Sequence, residues 1–185
     1  MGTRSDIIVH RADGTWARIY CHWDGYLEHN GRILFDQYTS QDQAEALVAL
    51  GSLSKLGPEI GVKHPFDSPR PWTDATDAEH RRKYGKMCTA YGRDRGEKDV
   101  SADVGETLHA VWPPEDTWTE FTYVWDAGKW WVGDPDEGTQ TLIDLGDALL
   151  GKKTLKPAVK AFGMVLGRHN AVDVKDGHSW SSRSD

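Results

Sequence analysis

Apolar and polar residues alternate along the first part of the chain in the pattern of a β-hairpin. Residues 5–12 are rich in β-branched side chains, and Asp13-Gly14 is a strong signal for a two-residue turn. The period of two over residues 15–23 places four side chains on one face of the second strand: Trp16, Arg18, Tyr20 and His22. The pattern therefore predicts a hairpin whose second strand carries His22 to its end.

Helical signals follow this hairpin. A short helix is predicted from Ile33 to Tyr38, after the turn residues Asn30-Gly31. Ser40 and Gln43 have the spacing of a capping box, which predicts the start of a second helix, and Gly51 predicts its end. Residues 53–56 are predicted to form a further short turn.

The middle of the chain has weaker periodicity. Four prolines in residues 58–82 predict a long irregular loop, which in a compact domain indicates function or mobility. A strand is predicted at residues 86–91, a turn at 92–97, and a short helix at 103–112 that ends before Pro113-Pro114.

The last part of the chain again alternates between strands and helices. Residues 118–125 and 129–133 predict a second hairpin around Asp126-Ala127-Gly128. Apolar residues at helical spacing predict helices over 139–150 and from Pro157 to Leu166.

Together these elements predict an α+β fold with a mostly antiparallel sheet built from hairpins and with helices packed on one face. Residues 1–151 are predicted to form a single domain. Residues 152–185 are predicted to be a C-terminal helix and polar tail appended to it. Most of the nine tryptophans are expected to lie in the core or on a sheet face, where they supply buried area.

Charge and composition narrow the function. The net charge of −7 argues against a general nucleic-acid binder, and no apolar run is long enough to span a membrane. No secretion signal is evident at the N-terminus, so Cys21 and Cys88 are expected to be reduced and structural.

The richest candidate chemistry lies at the end of the second strand. An imidazole, an indole, a carboxylate and a phenol occur there within five residues: His22, Trp23, Asp24 and Tyr26. The Asp13-Gly14 turn would place Arg4 opposite residue 22 or 23. Arg93 and Arg95 follow the strand predicted at 86–91, which is the nearest candidate to extend the same sheet. We therefore predict a composite ligand site formed by these seven residues, with no catalytic group and no metal.

These residues and their neighbours allow three other interpretations. His22, Asp24 and His29 could be metal ligands, but a hydrogen-bonded turn explains their spacing better. The arginines of residues 92–96 suit phosphate, and an ordinary charged turn explains them equally well. Cys21 and His22 point to opposite faces of a strand, so they cannot form a nucleophile and base pair.

Four segments together carry a resemblance to a known family. They are Gly2-Thr3-Arg4-Ser5, Tyr20-Cys21-His22-Trp23-Asp24-Gly25-Tyr26, Ala44-Glu45-Ala46-Leu47-Val48-Ala49-Leu50-Gly51 and Ala90-Tyr91-Gly92-Arg93-Asp94-Arg95-Gly96-Glu97. Over residues 2–133 the chain resembles a family of small uncharacterised bacteriophage and prophage proteins. The resemblance implies a phage setting, with accessory or counter-defence roles in the cytoplasm of the bacterial host, and it implies no chemistry.

Three functions remain open from the sequence. The leading hypothesis is a phage accessory protein that binds a small nucleotide-type or other anionic ligand without catalysis and without a cofactor. The first alternative is a protein–protein inhibitor of a bacterial host or defence factor, based on the acidic stretch from Asp134 to Asp147. The second is an enzyme acting on a nucleotide-like phosphorylated compound, with His22 as acid or base and Asp24 orienting it. Homo-oligomerisation is left open.

Overall fold

A computed structural model describes residues 2–65, 74–114, 118–134 and 138–152. The helix predicted from Pro157 to Leu166 and the tail after it lie outside these residues. The described residues contain one sheet of eight strands. The strands are β1 (Ser5–His10), β2 (Trp16–Cys21), β3 (Leu53–Lys55), β4 (Thr89–Ala90), β5 (Asp103–Gly105), β6 (Phe121–Asp126), β7 (Lys129–Gly133) and β8 (Ile143–Asp144).

The sheet is mixed but mostly antiparallel. The strand order is β4-β3-β2-β1-β6-β7-β8, and β5 pairs with β2 beside this path. β1 and β2 form the predicted antiparallel hairpin, with Ser5 opposite Cys21 and His10 opposite Trp16. β1 also pairs in parallel with β6, and β2 in parallel with β3. The predicted α+β class is therefore confirmed, with a parallel pair at the centre of the sheet.

Five α-helices surround the sheet in the described residues: α1 (Arg32–Gln37), α2 (Gln41–Val48), α3 (Asp74–Tyr84), α4 (Leu108–Val111) and α5 (Leu145–Leu149). The capping box predicted for α2 is present, because Ser40 accepts from the Gln43 backbone and the Gln43 side chain accepts from Ser40. Two wider helical turns cover Leu27–Gly31 and Tyr91–Arg95.

One face of the sheet packs against α1, α2 and α5 and forms the main core. Alternate residues of β1 and β2, such as Ile7 and Ile19, are fully buried there. Two indoles of the β6–β7 hairpin bond into the helix layer: Trp125 donates to the Gln41 side chain and Trp130 to the carbonyl of Tyr38, both at 2.7 Å. These indoles thus supply both apolar area and directed contacts.

The opposite face is divided in two. Its apolar half, which includes Ile8, Trp16 and Trp131, is covered by α4. The helix layer predicted on one face is thus accompanied by a short helix on the other. Toward the start of β1 and the end of β2 the lining of this face is mostly polar and includes no residue of a described helix.

Several short elements differ from their predictions. Residues 53–55 form β3, rather than a turn, and β3 lies between β2 and β4. Residues 103–105 form β5, and residues 143–144 form β8, inside segments predicted as helices. Strands of two or three residues are too short to show a period, so their formation depends on the neighbouring strand. The strand predicted at 86–91 is reduced to Thr89–Ala90.

The predicted irregular loop contains α3 over residues 74–84. This helix carries charged and polar side chains around most of its circumference, so it lacks the apolar stripe by which helices are recognised. Residues 66–73 of that loop lie outside the described part of the chain.

Candidate functional site

The polar half of the open sheet face forms a cleft of about 740 Å³. Two strands supply most of its lining because their alternation sends every second side chain to this face. The cleft, called here the Arg4 cleft, is lined by Arg4, Asp6, Arg18, Tyr20, His22, Trp118 and Thr119. In the hairpin register Asp6 lies directly opposite Tyr20. Continuing that register by one pair places Arg4 opposite His22, as predicted.

The basic end of the cleft consists of Arg4, Tyr20 and His22. The Tyr20 hydroxyl lies 2.9 Å from Nδ1 of His22, which fixes the orientation of both rings. Burial raises the pKa of Tyr20, and the Arg4 guanidinium beside the phenol acts in the opposite direction. Within the described residues no carboxylate lies within ion-pair distance of Arg4. The Arg4 side chain therefore offers a positive charge to the cleft.

The floor of the cleft is formed by Asp6, which is only 4 % exposed. Its Oδ1 lies 4.0 Å from Nε of Arg18, and its Oδ2 has no hydrogen-bond partner among the described residues. Burial raises the pKa of Asp6 to about 6, although the charge of Arg18 and a hydrogen bond from Thr119 act against the rise. Asp6 is thus a buried carboxyl group with one oxygen still able to accept a hydrogen bond.

Trp118 forms the outer wall of the cleft. Its side chain is 81 % exposed, the highest value among the large apolar residues of the described chain. The backbone that follows is fixed, since the N–H of Glu120 donates to the carbonyl of Arg4 at 2.9 Å. An exposed indole held at the rim of a cleft can stack on a planar ligand.

The other predicted residues near His22 have an anchoring role. Trp23 packs on Gly2, where an added Cβ would lie 2.4 Å from the indole ring. Gly25 lies against the backbone of Arg4, and its N–H donates to Thr3. Trp23, Asp24 and Tyr26 are absent from the cleft lining. The turn that contains them holds the segment carrying Arg4.

Arg93 and Arg95 do not join this cleft. The Arg93 guanidinium contacts both carboxylate oxygens of Asp94 at 2.8 and 2.9 Å, and it donates to the carbonyls of Ile60 and Cys88. Arg95 forms an ion pair with Glu97 at 3.1 Å. β3 separates β2 from β4, so the arginines lie one strand further away than predicted. Of the seven residues predicted for the composite site, only Arg4 and His22 line the cleft. The other residues of its lining were not predicted as site residues.

Three of the cleft residues that were not predicted could have been found from the alternation of the two paired strands. Arg18 and Tyr20 were recognised as sharing a face with His22, and Asp6 stands in the same alternation with Arg4 on the paired strand. Trp118 and Thr119 could not be placed, because they reach the cleft only through the parallel pairing of β6 with β1.

The predicted alternatives for metal and cysteine chemistry can be compared with the geometry. The Asp24 carbonyl accepts from the Asn30 backbone, and Nδ1 of His29 lies 3.0 Å from the Asn30 side chain. These bonds describe a hydrogen-bonded turn. Within the described chain, no three His, Cys, Asp or Glu residues are grouped to hold a metal ion. Cys21 is free and buried on the opposite face, where burial raises its pKa to about 12.

A second hollow, of about 760 Å³, lies between the end of α2 and residues 97–102. Its charged residues are largely engaged elsewhere. Arg11 pairs with Asp13, and Glu45 accepts from Ala12 and Gln41. The Arg4 cleft is the better candidate site because its polar groups are less satisfied by the protein itself.

Comparison with known proteins gives no relative: no family model, no curated protein and no solved structure matches the chain. No helix in the described residues is both long and apolar enough to cross a membrane.

Proposed function

We propose that the protein binds a small anionic ligand with a planar ring, of the nucleotide type, in the Arg4 cleft and without catalysis. The observation that carries this proposal is the Arg4 guanidinium, which has no carboxylate partner in the described chain and lies beside the Tyr20–His22 pair. A guanidinium without a carboxylate partner is suited to a phosphate or carboxylate, which it can bind through two parallel hydrogen bonds.

The remaining lining residues suit the rest of such a ligand. The exposed indole of Trp118 offers a surface on which a base can stack. An anion at Arg4 and a ring on Trp118 would therefore be held at opposite parts of one cleft.

The geometry favours binding over catalysis. His22 is oriented by the Tyr20 phenol and not by Asp24, so the predicted His–Asp pair of the enzyme hypothesis is not formed. Both cysteines are buried, and burial raises the pKa of each thiol, which disfavours the nucleophilic thiolate.

The biological setting of this proposal rests on the resemblance to phage and prophage proteins. Sequestering a nucleotide-type defence signal in the cytoplasm of a bacterial host would require only a binding cleft. The alternative, an inhibitor of a host protein, loses part of its basis. Asp144 of the acidic stretch pairs with Lys129 at 3.2 Å and caps α5, so this carboxylate is engaged within the fold.

The proposal is tested by calorimetric titration of the purified protein with cyclic and linear mono- and dinucleotides. We expect saturable binding by the wild type and at least about tenfold weaker binding by Arg4→Ala and Trp118→Ala. Arg32→Ala, which changes an exposed arginine at the start of α1, is the matched control and should bind like the wild type. The proposal would be overturned if the wild type does not bind, or if the two cleft variants bind with the affinity of the wild type.

A further inference from the structure

Two histidines meet beside the edge strand β4, one on α3 and the other in the segment that ends at residue 65. His64 is 4 % exposed, and its ring stacks on Tyr84 with the ring centres 5.1 Å apart. His80 lies one turn before Tyr84 on α3. The rings of His64 and His80 are nearly perpendicular, with their centres 6.4 Å apart.

The surroundings of His64 fix which ring nitrogen carries its proton. Nε2 lies 3.2 Å from the carbonyl oxygen of Cys88 and 3.5 Å from Oδ2 of Asp94. Both neighbours are acceptors, so Nε2 carries the hydrogen and Nδ1 presents its lone pair. The His64 backbone N–H also donates to Asp94, at 3.2 Å. The imidazole is thus held in one tautomer and one orientation.

Asp94 is itself held in place. Arg93 contacts both of its oxygens, and the Ala90 N–H donates to Oδ2 at 2.8 Å. Burial acts to raise the pKa of Asp94, but the bonds from Arg93, Ala90 and His64 outweigh it and leave this pKa below its ordinary value. His64 therefore faces a carboxylate that remains ionised.

One nitrogen in each of the two rings has no hydrogen-bond partner in the described residues. Nδ1 of His64 and Nε2 of His80 are both buried, and neither has a hydrogen-bond partner within the described residues. A buried polar atom without a partner is costly, and two in neighbouring rings point to a group that satisfies both.

We propose that Nδ1 of His64 and Nε2 of His80 bind a first-row transition-metal ion that accepts imidazole ligands, such as Zn²⁺. Histidines that bind metals commonly donate their second N–H to a carboxylate or carbonyl, which is the arrangement of His64. With metal–nitrogen distances of about 2.1 Å, tetrahedral coordination would put the ring centres about 5 Å apart, so the two rings have to approach each other by about 1 Å to bind one ion.

This ion would have two protein ligands and would complete its coordination with water or another small donor. It would connect α3 to the segment of His64, and through Asp94 to the turn after β4. Two imidazoles give weaker binding than a structural site with four ligands. We therefore expect reversible binding that raises the melting temperature.

The test starts from metal-free protein titrated with Zn²⁺ and with Co²⁺, followed by calorimetry and by the visible absorption of Co²⁺. We expect one ion per chain and a loss of at least about tenfold in affinity in His80→Ala. Because His64 is buried and its replacement can affect folding, His80→Ala is the main variant. Folding of this variant is checked by circular dichroism.

Two single-histidine variants serve as controls. His109→Ala removes an exposed histidine, and His22→Ala removes the one in the Arg4 cleft. Both should bind the metal like the wild type. If the wild type binds neither ion, or if His80→Ala binds with unchanged affinity, the inference is wrong and a direct or water-mediated hydrogen bond joins the two rings.

Discussion

The Arg4 cleft and the turn at Tyr91–Arg95 each combine an arginine with a buried aspartate, and they use these charges differently. In the turn, Arg93 contacts both oxygens of Asp94, and the pKa of that carboxyl is held low. In the cleft, Arg4 has no carboxylate partner in the described chain, and one oxygen of Asp6 has no hydrogen-bond partner there. A charge that the fold satisfies stabilises the fold, whereas a charge that it leaves open is available to a ligand.

The largest expected effect on stability comes from breaking the ion pair between Arg93 and Asp94. Arg93→Ala would leave Asp94 ionised, buried and without its main partner, and we expect it to lower the free energy of unfolding by about 3 kcal/mol. Denaturation with urea measures the change. Arg95→Ala is the control, and because its ion pair with Glu97 is partly exposed we expect a loss below about 1 kcal/mol. Equal effects of the two substitutions would contradict the distinction between the regions.

The second effect concerns Asp6 and depends on pH. The pKa of Asp6 is raised from 3.8 to about 6 in the folded protein, so between these values the folded state binds more protons than the unfolded state. Raising the pH through this window therefore reduces the contribution of Asp6 to stability, by up to about 3 kcal/mol once the pH exceeds 6. Arg18 and Asp103 are the charged groups that act on it.

Asp6→Asn removes this titration and isolates it from the other groups. We expect the variant to be more stable than the wild type at pH 7.5 and to lose most of that advantage at pH 3.5. Urea denaturation at a series of pH values gives the difference between the two proteins. A difference that does not change with pH would show that Asp6 ionises normally in the fold.

The smallest expected effect is at Arg4. Since this guanidinium has no ion pair in the described chain, Arg4→Ala should change the free energy of unfolding by no more than about 0.5 kcal/mol. The same variant should lose the stabilisation that a nucleotide gives to the wild type in thermal denaturation. A large intrinsic loss of stability would mean that Arg4 serves the fold in the same way as Arg93.

Local signals in the sequence were sufficient for part of this structure. The Asp13-Gly14 turn and the Ser40–Gln43 capping box depend on neighbouring residues, and both are formed as predicted. The hairpin register also brought Arg4 opposite His22. Strands such as β3 and β8 carry no such signal, because two or three residues become a strand only when a partner is already in place.

The candidate site shows the same division. Residues on the two paired strands could be assigned to one face by alternation alone. The contribution of Trp118 depends on the parallel pairing of β1 with β6, which joins residues more than a hundred positions apart. Arg93 lies away from the cleft because β3, which was not predicted, stands between β2 and β4. The local sequence therefore predicted one side of the cleft, and the long-range pairing determined the other.

The parallel pairing of β1 with β6 has a consequence for synthesis on the ribosome. β1 pairs with β2 as soon as residue 21 is available, but its other edge stays open until residues 121–126 have emerged. During that interval a fully apolar strand centre, Ile7-Ile8-Val9, has an unpaired edge of the kind that recruits other chains. Contacts of such long sequence separation also slow folding. Completion of the sheet is thus a late step, and the growing chain is most exposed to aggregation before β6 arrives.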